Sequence, residues 1–164
     1  MTTSHAPRPR RSEEEQARLH ALITDLFERQ IAFNAVLGVE VRSLDPVEPT
    51  LRFHMKPSLI GHFVYGQLHG GVTSAVLDAC GGFALTVAIC EKFADEPAET
   101  VITRFARMGT IDLRVDYLHR GIGQWFDARA RVTRLGGRIG SVQMSMHSDD
   151  GTLIATGAAA YTVG

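Results

Sequence analysis

A chain of 164 residues with 45% hydrophobic and 21% charged residues has the size and composition of one globular domain. Seventeen Lys and Arg against 18 Asp and Glu leave a formal charge of -1, with no basic excess to hold nucleic acid or an anionic membrane. Mean hydropathy is -0.00, and no apolar run reads as long enough to span a bilayer, so no membrane partner is expected.

Residues 1–11, MTTSHAPRPRR, are rich in Pro and Arg and read as a disordered leader, which leaves 12–164 as a single domain. Ser12-Glu13-Glu14-Glu15 follows Arg10-Arg11 where a twin-arginine signal needs an apolar core, so a cytoplasmic location is expected. Ser12 and Glu15 have the spacing of a capping box. Leu19, Leu22, Ile23, Leu26 and Phe27 then repeat at helical spacing, which predicts a helix over about 13–32.

LGVEVRSLDP reads as a strand ending at Asp45-Pro46, and TLRFHMKP as its hairpin partner. A glycine-rich loop at 61–71 leads into a long helix over about 71–89. The charged segment 91–109 reads as a connection with one helical turn. Four strand signals follow: TIDLRVDYL, QWFDARARVTRL, RIGSVQMSMHS and TLIATGAAAYTV. Their breaks fall at Arg120-Gly121, Gly136-Gly137 and Asp149-Asp150-Gly151. The order predicts an α+β domain in which the long helix covers one face of an antiparallel sheet.

Cys80 and Cys90 both fall in the apolar run and have no metal-ligand spacing, so they read as core thiols in a reducing compartment. His5, His20, His54, His119 and His147 are dispersed, and no metal is expected.

The chemistry concentrates in GQLHGGVTSAVLDACGG, residues 66–82. Asp78 sits between Val76-Leu77 and Phe83, and a buried carboxylate is costly unless it is paired. On a helical wheel Gly71, Ser74, Asp78, Gly81, Gly82 and Leu85 share an arc of about 100°. This lane of small residues admits another backbone or a slender ligand. Glycine inside a helix costs about 1 kcal/mol relative to alanine, so the Gly81-Gly82 pair calls for a packing reason. Asp78 is either a working acid or a structural anchor held to a loop amide. His69-Gly70-Gly71 marks the start of the helix, where free amides and the positive end of the macrodipole suit a developing oxyanion. An ordinary flexible turn also fits those three residues.

GxLHGG, with Asp nine residues after the histidine, resembles the hotdog-fold acyl-CoA thioesterases of the PaaI type. GTIDLRVDYLHRG is similar to that family's central strand, and the likeness runs over roughly residues 36–163. The resemblance implies an antiparallel sheet wrapped around a long central helix, here with an extra N-terminal helix. It also implies an active site across a dimer interface, in a homodimer or homotetramer. The Gly70 amide would polarise the thioester carbonyl, and Asp78 would be general base or nucleophile. Thr110 would help to hold the water, and no cofactor would be needed beyond the coenzyme A of the substrate. His62-Phe63 stands where the family has an asparagine, so His62 is the expected replacement. His69, Gly71, Ser74 and Phe63 would flank the substrate, and Arg120 or Arg138 would meet the coenzyme A phosphates. Phe63, Leu85 and Ile89 as tunnel wall would suit a medium- to long-chain or aromatic acyl group.

Two rival readings remain. His62 with Asp78 would also fit a hotdog hydratase or dehydratase acting on β-hydroxyacyl thioesters, although the proline-rich loop is missing and the acid is Asp rather than Glu. The fold would also serve a non-catalytic acyl-CoA-binding module.

Overall fold

The computed structural model describes residues 10–164. The first nine residues of the expected leader lie outside the described residues. Arg11 belongs to the folded unit: its guanidinium donates to the carbonyls of Cys90, Phe93 and Glu96.

Ser12 caps α1 (Glu13–Asp25) by accepting from the Glu15 amide at 3.2 Å. The reciprocal half of the capping box is missing, because Glu15 instead accepts from the amide of Ala98. The periodicity predicts one helix to about residue 32, but the chain passes into a π-turn at Leu26–Gln30. There the Ile31 amide reaches back five residues to the carbonyl of Leu26. A separate short helix, α2 (Ala32–Leu37), follows and stops at Gly38, whose φ of 75° is a left-handed conformation that glycine adopts without strain.

Strands β1 (Glu40–Ser43) and β2 (Thr50–His54) form the expected antiparallel hairpin. The glycine-rich loop carries a small two-stranded ribbon, β3 (Ile60–His62) and β4 (Gln67–Leu68). Helix α3 (Gly70–Lys92) comes next, then α4 (Ala98–Ile102) with a 3-10 turn at Thr103–Arg107. The last four strands are β5 (Gly109–Tyr117), β6 (Trp125–Leu135), β7 (Ile139–Ser148) and β8 (Leu153–Thr162).

Six strands make one antiparallel sheet in the order β1-β2-β6-β7-β8-β5. Its inner face wraps α3: Leu51 and Phe53, Phe126 and Ala128, and Met146 pack with Val76, Leu77, Phe83 and Leu85. Small residues on β8 (Ala155, Gly157, Ala159) let the helix lie close to the sheet.

Helix α3 corrects one expectation. Its 23 residues are long and apolar enough to cross a membrane by length and composition. Two-thirds (67%) of its apolar stretch is buried inside the protein, so its apolar surface is already covered by the sheet.

Candidate active site

Helix α3 presents two chemically distinct places. At its start His69 is the N-cap, and its ring Nδ1 accepts from the Gly71 amide at 2.9 Å. The Val72 and Thr73 amides are taken by the His69 carbonyl. The Gly70 N–H donates to no group among the described residues, so it is the first-turn amide open to an incoming acceptor. The Tyr117 hydroxyl donates to the Gly70 carbonyl at 2.9 Å, and its ring lies 3.4 Å from where a Gly70 Cβ would stand. Ser74 bonds back to the Gly71 carbonyl and sits one turn before Asp78.

Two turns along, Asp78 is half-buried and its Oδ1 accepts from two hydroxyls, Thr110 at 2.9 Å and Tyr161 at 3.0 Å. Oδ2 has no hydrogen bond among the described residues. Thr110 and Tyr161 face each other across β5 and β8. Alternation back from Tyr117, Val115 and Leu113 would turn Ile111 inward and Thr110 outward. A bulge between Thr110 and Asp112 reverses this: Ile111 is 52% exposed and Thr110 points at the helix. The Asp112 carboxylate accepts from the Ala160 amide beside the bulge.

Burial, and then the charge of Asp78, push the Tyr161 phenol well above its ordinary value, so it stays protonated and donates. The two glycines have separate reasons. A Cβ at Gly81 would overlap the Tyr161 hydroxyl and lie 2.9 Å from Met144 Sδ, so Gly81 admits the tyrosine. A Cβ at Gly82 would make only ordinary contacts, with Met108 Sδ at 3.6 Å and the Tyr161 ring at 3.9 Å, at the edge of an open space.

That space is a cavity of about 280 Å³ with Asp78, Thr110 and Tyr161 on its wall. Its apolar lining comes from Phe27 and Ile31 around the π-turn, Phe33 on α2, and Phe105 and Met108 after α4. The residues expected to form a tunnel lie elsewhere. Phe63 is 89% exposed on the loop between β3 and β4, while Leu85 and Ile89 are packed in the interior.

His62 packs at a tilt against Tyr65 with ring centroids 4.8 Å apart, and no hydrogen bond joins it to Asp78 among the described residues. Arg120 lies over the Tyr65 ring at 4.4 Å, near the start of α3. Arg138 is at the opposite end, where it shares a recess of about 370 Å³ with Lys92, Arg104 and Arg107. The two arginines therefore cannot serve one phosphate group of one chain. Tyr161, Tyr117 and the apolar residues that line the cavity were not anticipated as site residues from the sequence. Alternation in AAAYTV puts Tyr161 on one face of its strand but does not say what it meets.

Residues 65–155 match the model of the thioesterase superfamily. The chain belongs to that superfamily. This thioesterase is a thioester hydrolase with the hotdog fold, and its likeness to curated relatives extends beyond the matched region. It is 32% identical over 143 residues to the medium/long-chain acyl-CoA thioesterase YigI of Salmonella typhimurium, covering 87% of this chain and 92% of that protein. The YigI protein of Escherichia coli K12 matches to the same extent. A crystal structure from Shewanella oneidensis, of a protein related to the thioesterase superfamily, superposes with a TM-score of 0.86 at 36% identity. It covers 93% of this chain and all (100%) of its own. A structure from Syntrophus aciditrophicus gives 0.81 at 29% identity, over 93% of this chain and 100% of its own.

Proposed function

We propose that this thioesterase hydrolyses medium-chain acyl-coenzyme A to the free acid and coenzyme A, with Asp78 as general base and the Gly70 N–H as oxyanion donor. The observation that carries the reading is a carboxylate with one oxygen pinned and the other unbonded, set in the wall of an apolar cavity. Oδ2 of Asp78 takes a proton from water as the water oxygen bonds the thioester carbon. The carbonyl electron pair moves onto the oxygen facing the Gly70 N–H. Collapse of the tetrahedral intermediate breaks the C–S bond, and the departing thiolate recovers the proton from Asp78. The sequence of steps calls for no metal or redox cofactor.

Eight residues separate Gly70 from Asp78, an axial rise of about 12 Å, and the Asp78 side chain leaning toward the N-terminus recovers only part of it. An oxyanion donor and a base that share one carbonyl and one water span only about 7 Å. We infer that Gly70 of one copy works with Asp78 of another, so the site needs a homodimer or a homotetramer. Strand β5 supports this reading: it is a nine-residue sheet edge with an exposed Ile111, open to pairing with a second copy. His62, His69, Gly71, Ser74 and Phe63, on or beside the exposed start of α3, would then line the partner's half of the cleft. The basic recess around Arg138, or Arg120 on Tyr65, suits the coenzyme A phosphates. An apolar cavity of about 280 Å³ suits an acyl chain of medium length. The cytoplasm suits the two unpaired buried thiols, Cys80 and Cys90.

Free-thiol release should be measured from butyryl- to palmitoyl-coenzyme A, with a β-hydroxyacyl-coenzyme A followed for enoyl formation. The expected result is thiol release that peaks at medium chain length. Enoyl formation without thiol release, or tight binding without turnover, would overturn the reading.

A further inference from the structure

We propose that Tyr161 is a positioning residue of this hydrolytic site: with Thr110 it pins Oδ1 of Asp78, so that Oδ2 alone is presented to the attacking water. The inference rests on the hydrolase reading above and adds a residue to it.

Three independent features support it. The Tyr161 hydroxyl lies 3.0 Å from Asp78 Oδ1 and 2.8 Å from the Asp78 carbonyl, so its single proton is shared between the side chain and its own backbone. A shared contact of that kind fixes the rotamer as well as the charge. Second, the helix places glycine, a weak helix former, at position 81, where any Cβ would overlap this hydroxyl. Packing alone does not call for the oxygen, because a phenylalanine would fill the same space. Third, Thr110 and Tyr161 are direct cross-strand partners, and the bulge at Ile111 turns Thr110 onto the same face. The two donors converge on one oxygen from two strands.

The charged or titratable groups acting on the phenol are Asp78 and Cys80 on α3 and Asp112 on β5, and all three favour its protonated form. It therefore donates throughout the range in which a carboxylate base works.

The test compares Tyr161→Phe, Thr110→Val and the double variant on the acyl-coenzyme A that the wild type turns over fastest. Tyr161→Phe should lower kcat about tenfold, the scale of one hydrogen bond to a charged group, with KM nearly unchanged. Loss of a donor to the ionised carboxylate disfavours that form, so the acidic limb of the pH–rate profile should move to higher pH. The double variant should lose less than the product of the single losses, because both donors act on one atom. Thermal melting reports whether each variant is folded. Should Tyr161→Phe not fold, Gly81→Ala displaces the hydroxyl without deleting it and should move the limb in the same direction. A folded Tyr161→Phe (or, in its place, Gly81→Ala) with wild-type kcat and an unmoved limb overturns the proposal, as do strictly multiplicative losses. A wild type that releases no thiol from any acyl-coenzyme A refutes the hydrolase reading itself, and with it this role.

Discussion

The two ends of the chemistry on α3 are built in unlike ways. At the helix start everything is local: His69 caps, Gly71 is spent on that cap, and the Gly70 amide has no acceptor among the described residues. Two turns later, Asp78 is held by a threonine from β5 and a tyrosine from β8, beside a cavity closed by residues of the π-turn, α2 and the segment after α4. A backbone donor needs only a helix terminus and no side chain. A side-chain base needs a seat, and the rest of the fold supplies it.

Substitution at Asp78 should have the largest effect. Asp78→Asn still accepts from Thr110 and Tyr161, so it should fold, but it has no basic oxygen. Its kcat should fall by about 10²-fold or more, and its pH–rate profile should lose the acidic limb. A lowered melting temperature with near-normal turnover would instead make Asp78 a structural anchor.

The adjacent glycines sharpen the contrast between seat and cavity. Gly81→Ala forces the Tyr161 ring to shift and should cost about 1–3 kcal/mol, read as a melting temperature lower by several degrees. Gly82→Ala meets only ordinary contacts and should gain up to about 1 kcal/mol of helix stability. Its methyl group would occupy the cavity, so a kinetic panel should show the preferred acyl chain shortened. Similar outcomes at the two positions would contradict their different surroundings.

The middle of α3 is also dry, and that has a consequence at alkaline pH. Burial pushes the Cys80 thiol from 9.0 up to about 12 and Cys90 up to about 11. In the unfolded chain both ionise near 9, so their contribution to stability is complete below that pH and is lost as pH rises through the folded values. Melting temperature should decline above about pH 9, and less steeply in Cys80→Ala.

The smallest effect is expected at His62, in the open region. His62→Asn should keep most of the activity and His62→Ala less. Equal rates would remove His62 from the shared cleft.

The same contrast explains what the sequence revealed. The long helix, its start and the six strands of the main sheet were legible because each depends on neighbours in the chain: the His-Gly-Gly step, and the alternation in SVQMSMHS and TLRFH. The π-turn at 26–30 was not legible, because Leu22, Ile23, Leu26 and Phe27 keep helical spacing through it. The bulge at Ile111 was hidden because one extra residue in a strand shows only against its partner's register. Thr110 was reached through family resemblance alone, since plain alternation turns it outward. Tyr161 lies 83 residues from Asp78, and no local pattern joins them. Phe63 was expected beside the acyl chain, but it does not line the cavity next to Asp78 in its own chain, because the loop between β3 and β4 carries it outward.

The shared site is tested most directly by mixing two inactive variants. Gly70→Pro removes the open N–H at a first helical position, where proline fits and where His69 already has an extended ψ of 134°. Asp78→Asn removes the base. If each site joins Gly70 of one copy to Asp78 of another, a mixed dimer holds one site with both groups intact. Co-refolding equal amounts should then restore roughly a quarter of wild-type thioester hydrolysis, half the dimers being mixed with one good site each. No recovery from mixed dimers, shown to have formed by mass, would contradict the account.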